Sequence, residues 1–195
     1  MNSLIPLVGT IAMFGSALIG GVFFAFSSFV MKALARMPST EGITAMQSIN
    51  VVVINRSFLG AFMGTALLSL GMVALALVSR SHASSMWFLG GAIAYLAGTF
   101  FVTLFGNVPL NDQLAAVSAT DTRATQLWEH YVDKWTMWNH VRTFAAMLAA
   151  VLYGLGLAEL EGYRDSSTSA VEATSMSGNL ELCCFGTELL HRLGS

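Results

Sequence analysis

The chain has 195 residues, of which 55% are apolar and only 10% are charged, and its mean hydropathy is +0.66. Soluble domains carry about 25% charged residues, so this composition excludes an ordinary soluble enzyme and a disordered protein. With a net charge of −2, the chain offers no basic surface for nucleic acid, which is therefore not expected as a partner.

Four apolar segments follow one another, at about Leu4–Met31, Ser57–Ser79, Met86–Gly106 and Thr143–Ala158. A helix needs about 20 apolar residues to cross a bilayer, and the fourth segment is shorter than that. Its helix is therefore expected to begin within Trp135–Val141, which places Arg142 inside or at the edge of the bundle. The first segment has no Lys or Arg and is too long for a signal peptide, so it is expected to be retained.

The basic residues predict how the spans are oriented. Three of them lie in each of two connecting stretches, residues 32–56 and residues 107–142, whereas the connection around His82 contains Arg80 alone. Because basic residues accumulate on the cytoplasmic side, both stretches are predicted to be cytoplasmic and both termini to lie outside.

Glycines recur along the first three segments, and Gly60 and Gly64 form a GxxxG pair. Small residues let membrane helices approach closely, so we interpret these glycines as packing residues. The predicted fold is all-α, an integral-membrane four-helix antiparallel bundle over residues 1–160. Residues 161–195 are rich in polar residues and are predicted to form a flexible tail, native or appended. Assembly into a homo-oligomer stays open.

Polar residues within a membrane bundle are costly and therefore informative, and here they form two clusters. The first precedes the second span and contains Asn50 and Asn55. The second begins with Asn107-Val-Pro-Leu-Asn111, directly after the third span. Pro109 is predicted to end that helix, since it lacks an N–H and disfavours helical geometry at the preceding residue. The two asparagines of this turn either cap the freed backbone groups or orient a ligand.

An aromatic stripe marks the helix predicted over about residues 122–142. Spacings of 3, 4, 3 and 4 place five residues on one helix face: Trp128, Tyr131, Trp135, Trp138 and Arg142. The stripe is either an interfacial belt or packing surface, or a surface on which a flat aromatic ligand stacks.

His140 lies about 200° around the helix from Trp138, so the two side chains point in opposite directions. It is either a structural hydrogen-bonding residue or an acid–base group that titrates near neutrality. His130 is poorly placed to share a metal with His140 on one straight helix, and no metal ligands are predicted.

These residues resemble the anthrone oxygenase-like family of small membrane proteins, over about residues 4–160. The resemblance rests on Met46-Gln-Ser-Ile-Asn50 with Ile54-Asn55, Asn107-Val-Pro-Leu-Asn111, Trp128-x-x-Tyr131 and Trp135-Thr-x-Trp138-Asn139-His140-Val-Arg142-Thr143. Arg56 is a departure, since relatives are expected to have a proline there. The departure concerns the start of the second helix more than the chemistry.

The resemblance implies that O2 oxidises a lipophilic phenolic substrate of the anthrone type to a quinone, with no cofactor predicted. His140 would be the base, and Arg142, Asn107, Asn111 and Asn139 would orient the substrate and stabilise the developing oxyanion. Trp135 and Trp138 would form aromatic walls, and Asn50 and Asn55 would close the opposite side. Because His140 and Trp138 point apart, one compact site requires these groups to meet across the bundle.

Other functions remain open from the sequence. A small-molecule binding or transport protein is disfavoured because the four apolar segments contain no Asp or Glu for proton coupling. A metal- or haem-dependent membrane oxidoreductase is a second alternative, and a structural subunit without chemistry is a third. The expected partners are a lipophilic small molecule and the lipid bilayer.

Overall fold

The structure is a computed structural model that describes residues 4–78 and 83–193, with side chains up to residue 169 except those of residues 83, 164 and 168. The chain divides into two compact units, residues 1–157 and residues 158–195. Within the described residues the fold is all-α, as predicted. The connection that contains Arg80 and His82 lies outside the described residues.

Five helices make up the described chain: α1 (Leu4–Leu34), α2 (Ser39–Val52), α3 (Arg56–Val78), α4 (Ser84–Ala115) and α5 (Ala124–Leu193). Four regions are long and apolar enough to cross a membrane, namely α1, α3, α4 and the part of α5 that ends at Ser167. The prediction of four spans is therefore confirmed. The helix α5 extends to Leu193. The extent of a helix is not a measure of flexibility, and the flexible tail over residues 161–195 stays a prediction.

Close helix contacts at glycines show how the spans run. Gly91 of α4 lies against Tyr153 of α5, and Gly106 lies against Trp138, so α4 and α5 are antiparallel. The GxxxG interpretation is wrong within the described residues, because a Cβ on Gly60 or Gly64 would meet nothing within 4 Å. These two glycines face away from the rest of the bundle.

Polar groups in the bundle interior are paired between helices. The Tyr95 hydroxyl of α4 donates to the Phe62 carbonyl of α3 at 3.1 Å, and the Tyr153 hydroxyl of α5 donates to Ser69 Oγ at 2.8 Å. Both bonds satisfy hydroxyls that have no access to water. They fix α3 against α4 and α5 in the apolar part of the bundle.

A second core, here called the cap, lies at one end of the bundle. It consists of the end of α1, α2, the last two turns of α4 and the first three turns of α5, which bury Met31, Ile43, Met46, Leu114 and Trp128. Gln47 Nε2 donates to the carbonyls of Leu114 and Val117 at 2.8 and 2.9 Å. The stretches 32–56 and 107–142 therefore meet at the same end of the bundle.

The predicted helix stop at Pro109 is wrong. Val108 is helical, with φ −59° and ψ −48°, and α4 continues to Ala115. The segment Thr103–Asn107 is π-helical, and the Val108 N–H bonds to the Thr103 carbonyl, five residues back. This wide turn starts a new helical register in which Pro109 occupies the first turn, where its missing N–H is tolerated.

Candidate functional site

Wide helical turns supply polar residues at the junction of bundle and cap. α1 is π-helical over Phe26–Val30, and α4 is π-helical over Ala94–Phe101 and Thr103–Asn107. The turns carry buried Ser27, half-buried Thr103 and buried Asn107. Single π-helical turns occur frequently at functional sites.

A cavity of about 240 Å³ lies at this junction. Four of the sequence-predicted site residues line it: Asn50, Asn111, Trp135 and Arg142. Most of the remaining wall is apolar, and its aromatic part is formed by Phe23, Phe26, Phe58 and Phe62. Ligand pockets are commonly about 300–1,000 Å³, so this cavity suits a small, flat ligand.

Arg142 provides the positive charge of the cavity, and its side chain is almost fully buried. Its guanidinium carbon lies 4.1 Å from the ring centre of Phe23 and 5.0 Å from that of Trp135. Its Nε has no hydrogen-bond partner among the described residues. The ion pair found among the described residues joins Asp133 to Lys134 and does not involve Arg142. Arg142 is therefore a buried cation without a carboxylate partner among the described residues.

Asn139 holds this guanidinium in place. Its Oδ1 accepts a hydrogen bond from Arg142 Nη2 at 2.6 Å. Its Nδ2 donates to the Phe23 carbonyl at 2.7 Å and to Ser27 Oγ at 2.6 Å. Asn139 is fully buried and is not a lining residue of the cavity. The structure thus makes it a support of Arg142, which differs from the predicted contact with substrate.

The orientation of Asn111 follows from its partners. Asn111 Oδ1 accepts hydrogen bonds from the Tyr131 hydroxyl at 2.8 Å and from Trp135 Nε1 at 2.9 Å. An indole N–H can only donate, so the atom facing it must be the amide oxygen. The Asn111 amide nitrogen is then the donor left for the cavity.

Asn50 of α2 is half-buried and lines the cavity together with Asn111. Its side-chain amide has a donor nitrogen and an acceptor oxygen. The site therefore presents donors from Asn111 and Arg142 and an amide from Asn50 that can donate or accept.

Asn107 is buried beside the cavity without being one of its lining residues. Its Nδ2 donates to the Trp135 carbonyl at 3.1 Å, and it makes no side-chain capping bond to α4. Its Oδ1 has no partner among the described residues. Asn107 joins α4 to α5 directly behind Trp135.

The structure separates three predicted residues from the cavity. His140 is exposed and lines a shallow cleft beside Lys32 and Asp133, because it points away from the buried face of α5. Asn55 is exposed and caps α3, its Oδ1 accepting from the N–H groups of Ser57 and Phe58 at 3.0 Å. The predicted meeting of His140 with the asparagines across the bundle does not occur.

Trp138 is the third residue outside the cavity. It is partly exposed and its ring packs against Gly106. The buried stripe runs through Asn139 instead. Trp138 and Asn139 both lie about 50° from the centre of the stripe at 100° per residue, so packing against the other helices decides which of them is buried. Packing in the bundle therefore buries Asn139 and leaves Trp138 partly exposed.

Sequence reasoning missed the aromatic residues on the opposite wall. Phe23 and Phe26 lie in an apolar segment that gives no sign of a site, and Phe58 and Phe62 lie in another. Their i, i+3 and i, i+4 spacings are typical of any packed membrane helix. Thr103, whose hydroxyl lies 3.4 Å from Arg142 Nη1, was missed for the same reason.

The described residues contain no group of three His, Cys, Asp or Glu placed to hold a metal ion. No curated protein and no solved structure matches the chain. The anthrone oxygenase family model matches residues 50–152, just over half of the chain. The matched region runs from Asn50 through the Asn107–Asn111 turn to the helix that carries Trp135 and Arg142. The chain therefore belongs to the anthrone oxygenase family.

Proposed function

We propose that this protein is a membrane-embedded oxygenase that uses O2 to oxidise a lipophilic phenolic substrate of the anthrone type. The observation that carries the proposal is a buried guanidinium without a carboxylate partner at the wall of an apolar, aromatic cavity. An uncompensated buried charge is costly, and an anionic ligand would offset that cost. The family to which the chain belongs supports the same reading.

The cavity suits the anion of such a substrate. An anthrone loses the proton of the carbon opposite its carbonyl to give an anion whose charge spreads onto the carbonyl oxygen. Arg142 and the Asn111 amide would donate to that oxygen, and fixed donors of this kind typically contribute 10²–10³-fold to rate. Trp135 and Phe62 would hold the flat rings, and the Asn50 amide oxygen would accept a hydrogen bond from a phenolic hydroxyl.

The reaction balances with O2 as the oxidant. The anion passes one electron to O2, and the resulting radical pair combines to form a carbon–oxygen bond. The resulting peroxide anion takes up a proton to give a hydroperoxide. The hydroperoxide then loses water across its carbon–hydrogen and oxygen–oxygen bonds, which leaves the quinone. One anthrone and one O2 thus give one quinone and one water.

The proton donor and acceptor roles differ from those inferred from sequence. No imidazole or carboxylate lines the described cavity, and His140 lies in another cleft. We assign the departing proton to a water molecule inside the cavity next to Asn50 and Asn111, since water is small enough to pass where the cap excludes a larger ligand. Because Arg142 would stabilise the anion, it would make the carbon–hydrogen bond of the substrate more acidic, so that no strong base is needed.

Oxygen uptake and quinone formation test the proposal in liposomes that contain the purified protein and an anthrone such as emodin anthrone. We expect a rate above the spontaneous background and one O2 consumed per quinone. Arg142→Met should lower the rate at least 100-fold, whereas His140→Ala should leave it within twofold. A rate equal to the background would refute the activity, and loss of activity in His140→Ala would refute the assignment of the proton.

A binding protein for an aromatic anion is the second candidate, since the cavity has an anion-stabilising group and no base among its described lining residues. Stoichiometric binding without O2 uptake would favour it. We also propose that the cap faces the cytoplasm in both cases, from the distribution of basic residues.

A further inference from the structure

We infer that the cavity takes its ligand sideways from the bilayer, through an apolar opening between α3 and α4. This opening, here called the portal, is formed by Ile54 of the connection before α3, by Met63 of α3 and by Leu104 and Val108 of α4. The inference concerns the source of the ligand, and it rests on the proposed function only for the ligand's identity as an aromatic phenol.

The exposure of the lining residues locates the portal. Ile54 is 68% exposed, Met63 is 38% exposed, and Leu104 and Val108 are each 37% exposed. All four also line the cavity. Residues that are accessible from outside and also face the interior mark the opening of a cavity. Three of them, Met63, Leu104 and Val108, lie within regions that can cross the membrane.

Contacts between described residues of α3 and α4 hold the two walls of the portal together on its inner side. Towards the middle of the bundle, Tyr95 bonds to the Phe62 carbonyl, and the rings of Phe62 and Phe100 stack at 5.7 Å. Beyond Phe100, α4 enters its π-helical turn at Thr103–Asn107. The cavity lies between the helices from this point to the cap.

The aqueous end of the cavity is closed by the cap. Met46, Ile49 and Asn50 of α2 line the cavity on this side, and Met46 is almost completely buried. Gln47 fastens α2 to the carbonyls of Leu114 and Val117. A ligand from water would have to displace this helix, whereas a ligand from the bilayer would meet only apolar side chains at the portal.

The chemistry of the two regions matches one class of ligand. Exposed polar groups at the portal would resist contact with lipid, and its four residues have none. Arg142, Trp135 and Phe62 lie deeper and are almost fully buried. A ligand that dissolves in lipid as a neutral phenol and ionises only against Arg142 meets both conditions.

A bilayer-dissolved aryl diazirine tests this route without any enzyme assay. The full-length protein is placed in phosphatidylcholine liposomes, the probe is photolysed, and the adducts are mapped by peptide mass spectrometry. Met46 reports labelling inside the cavity, and Phe105, which is highly exposed and does not line the cavity, reports labelling at the lipid-facing surface.

We expect adducts on Met46 in the wild-type protein and at least a fivefold reduction in both Met63→Trp and Leu104→Trp. These variants fill the portal from opposite walls, so that a folding defect in one leaves the other informative. Labelling of Phe105 should stay unchanged. Leu67→Trp is the matched control, because Leu67 is highly exposed on the same helix as Met63 and does not line the cavity.

Unchanged labelling of Met46 in the portal variants would overturn the inference, and so would absence of Met46 adducts in wild-type protein whose Phe105 is labelled. The same experiments distinguish failure of the portal from failure of the proposed oxygenase activity. A protein with a labelled interior and no O2 uptake would retain the portal and lose the reaction.

Discussion

The charge of Arg142 depends on the neutral residue that holds it. Asn139 accepts from the guanidinium and donates to α1, so it fixes the position of the cation without cancelling its charge. An aspartate in that position would have nearly the same shape and would form a buried ion pair instead. The choice of an amide therefore leaves the charge available to a ligand.

Asn139→Asp keeps the size of the side chain, loses the hydrogen bond to the Phe23 carbonyl and should abolish anion stabilisation. We expect the rate of anthrone oxidation to fall at least 10-fold, because the new carboxylate would neutralise Arg142 at hydrogen-bonding distance. Asn55→Asp is the control, since aspartate is also a good helix cap, and its rate should stay within twofold. Full activity in Asn139→Asp would show that the charge of Arg142 is not used.

At the scale of helices, the sequence predicted the number of spans and the helical face of α5 but not the details that build the site. Trp128, Tyr131, Trp135 and Arg142 are buried on one face as predicted. The choice between Trp138 and Asn139 depends on the phase of the helix, which a five-residue spacing pattern does not determine. The π-helical turn before Pro109 also has no recognised sequence signal, so the helix stop was wrongly predicted.

Helix α2 was missed for a physical reason. It lies in a polar stretch between spans and buries only Gly42, Ile43 and Met46. Three buried residues do not create a strong periodic pattern, and the helix is stabilised by its contacts with α4 and α5. The surroundings of Asn50 were therefore beyond sequence reasoning, although Asn50 itself was identified as a site residue.

Gly98→Ala should weaken the contact between α4 and α5. The added Cβ would collide with Ala145, and overpacking of this kind costs about 1–3 kcal/mol. We expect a lower midpoint of thermal unfolding in detergent. Gly64→Ala is the matched control, since its Cβ meets nothing within 4 Å, and it should not lower the midpoint. Equal behaviour of the two variants would contradict the close contact.

Gln47→Ala should loosen the cap. It removes the side-chain donor of the Leu114 and Val117 carbonyls, and an intramolecular hydrogen bond typically contributes about 0.5–1.5 kcal/mol. Hydrogen exchange over residues 110–117 should become faster, whereas Ser48→Ala, at an exposed position of the same helix, should leave it unchanged. Unaltered exchange in Gln47→Ala would show that the cap is held by apolar packing alone.

At the scale of the whole molecule, the cap brings both basic connecting stretches to one end of the bundle. Arg142 is buried, so it does not count towards orientation. The remaining basic residues of the two stretches that meet at the cap are Lys32, Arg36, Arg56, Arg123 and Lys134, whereas the connection between α3 and α4 has Arg80 alone in the sequence. The stretches at the cap therefore still contain more basic residues than the connection between α3 and α4 when Arg142 is left out.

The predicted orientation is testable with reporters fused after Ser195. Because the cap is proposed to face the cytoplasm and four spans separate the termini by an even number of crossings, the C-terminus should lie outside. Alkaline phosphatase fused there should be active, and a green fluorescent protein that folds only in the cytoplasm should be dark. The reverse pattern would invert the orientation of the whole bundle.

The central claim is that Arg142 stabilises an aromatic oxyanion inside the cavity, and a spectroscopic titration of a bound hydroxyanthraquinone measures this directly. The absorbance of the phenolate reports the pKa of the bound dye, and a decrease of one pH unit corresponds to about 1.4 kcal/mol. We predict that wild-type protein in liposomes lowers this pKa by at least one unit relative to protein-free liposomes, and that Arg142→Met removes the decrease. A bound dye with the same pKa in both proteins would contradict the claim.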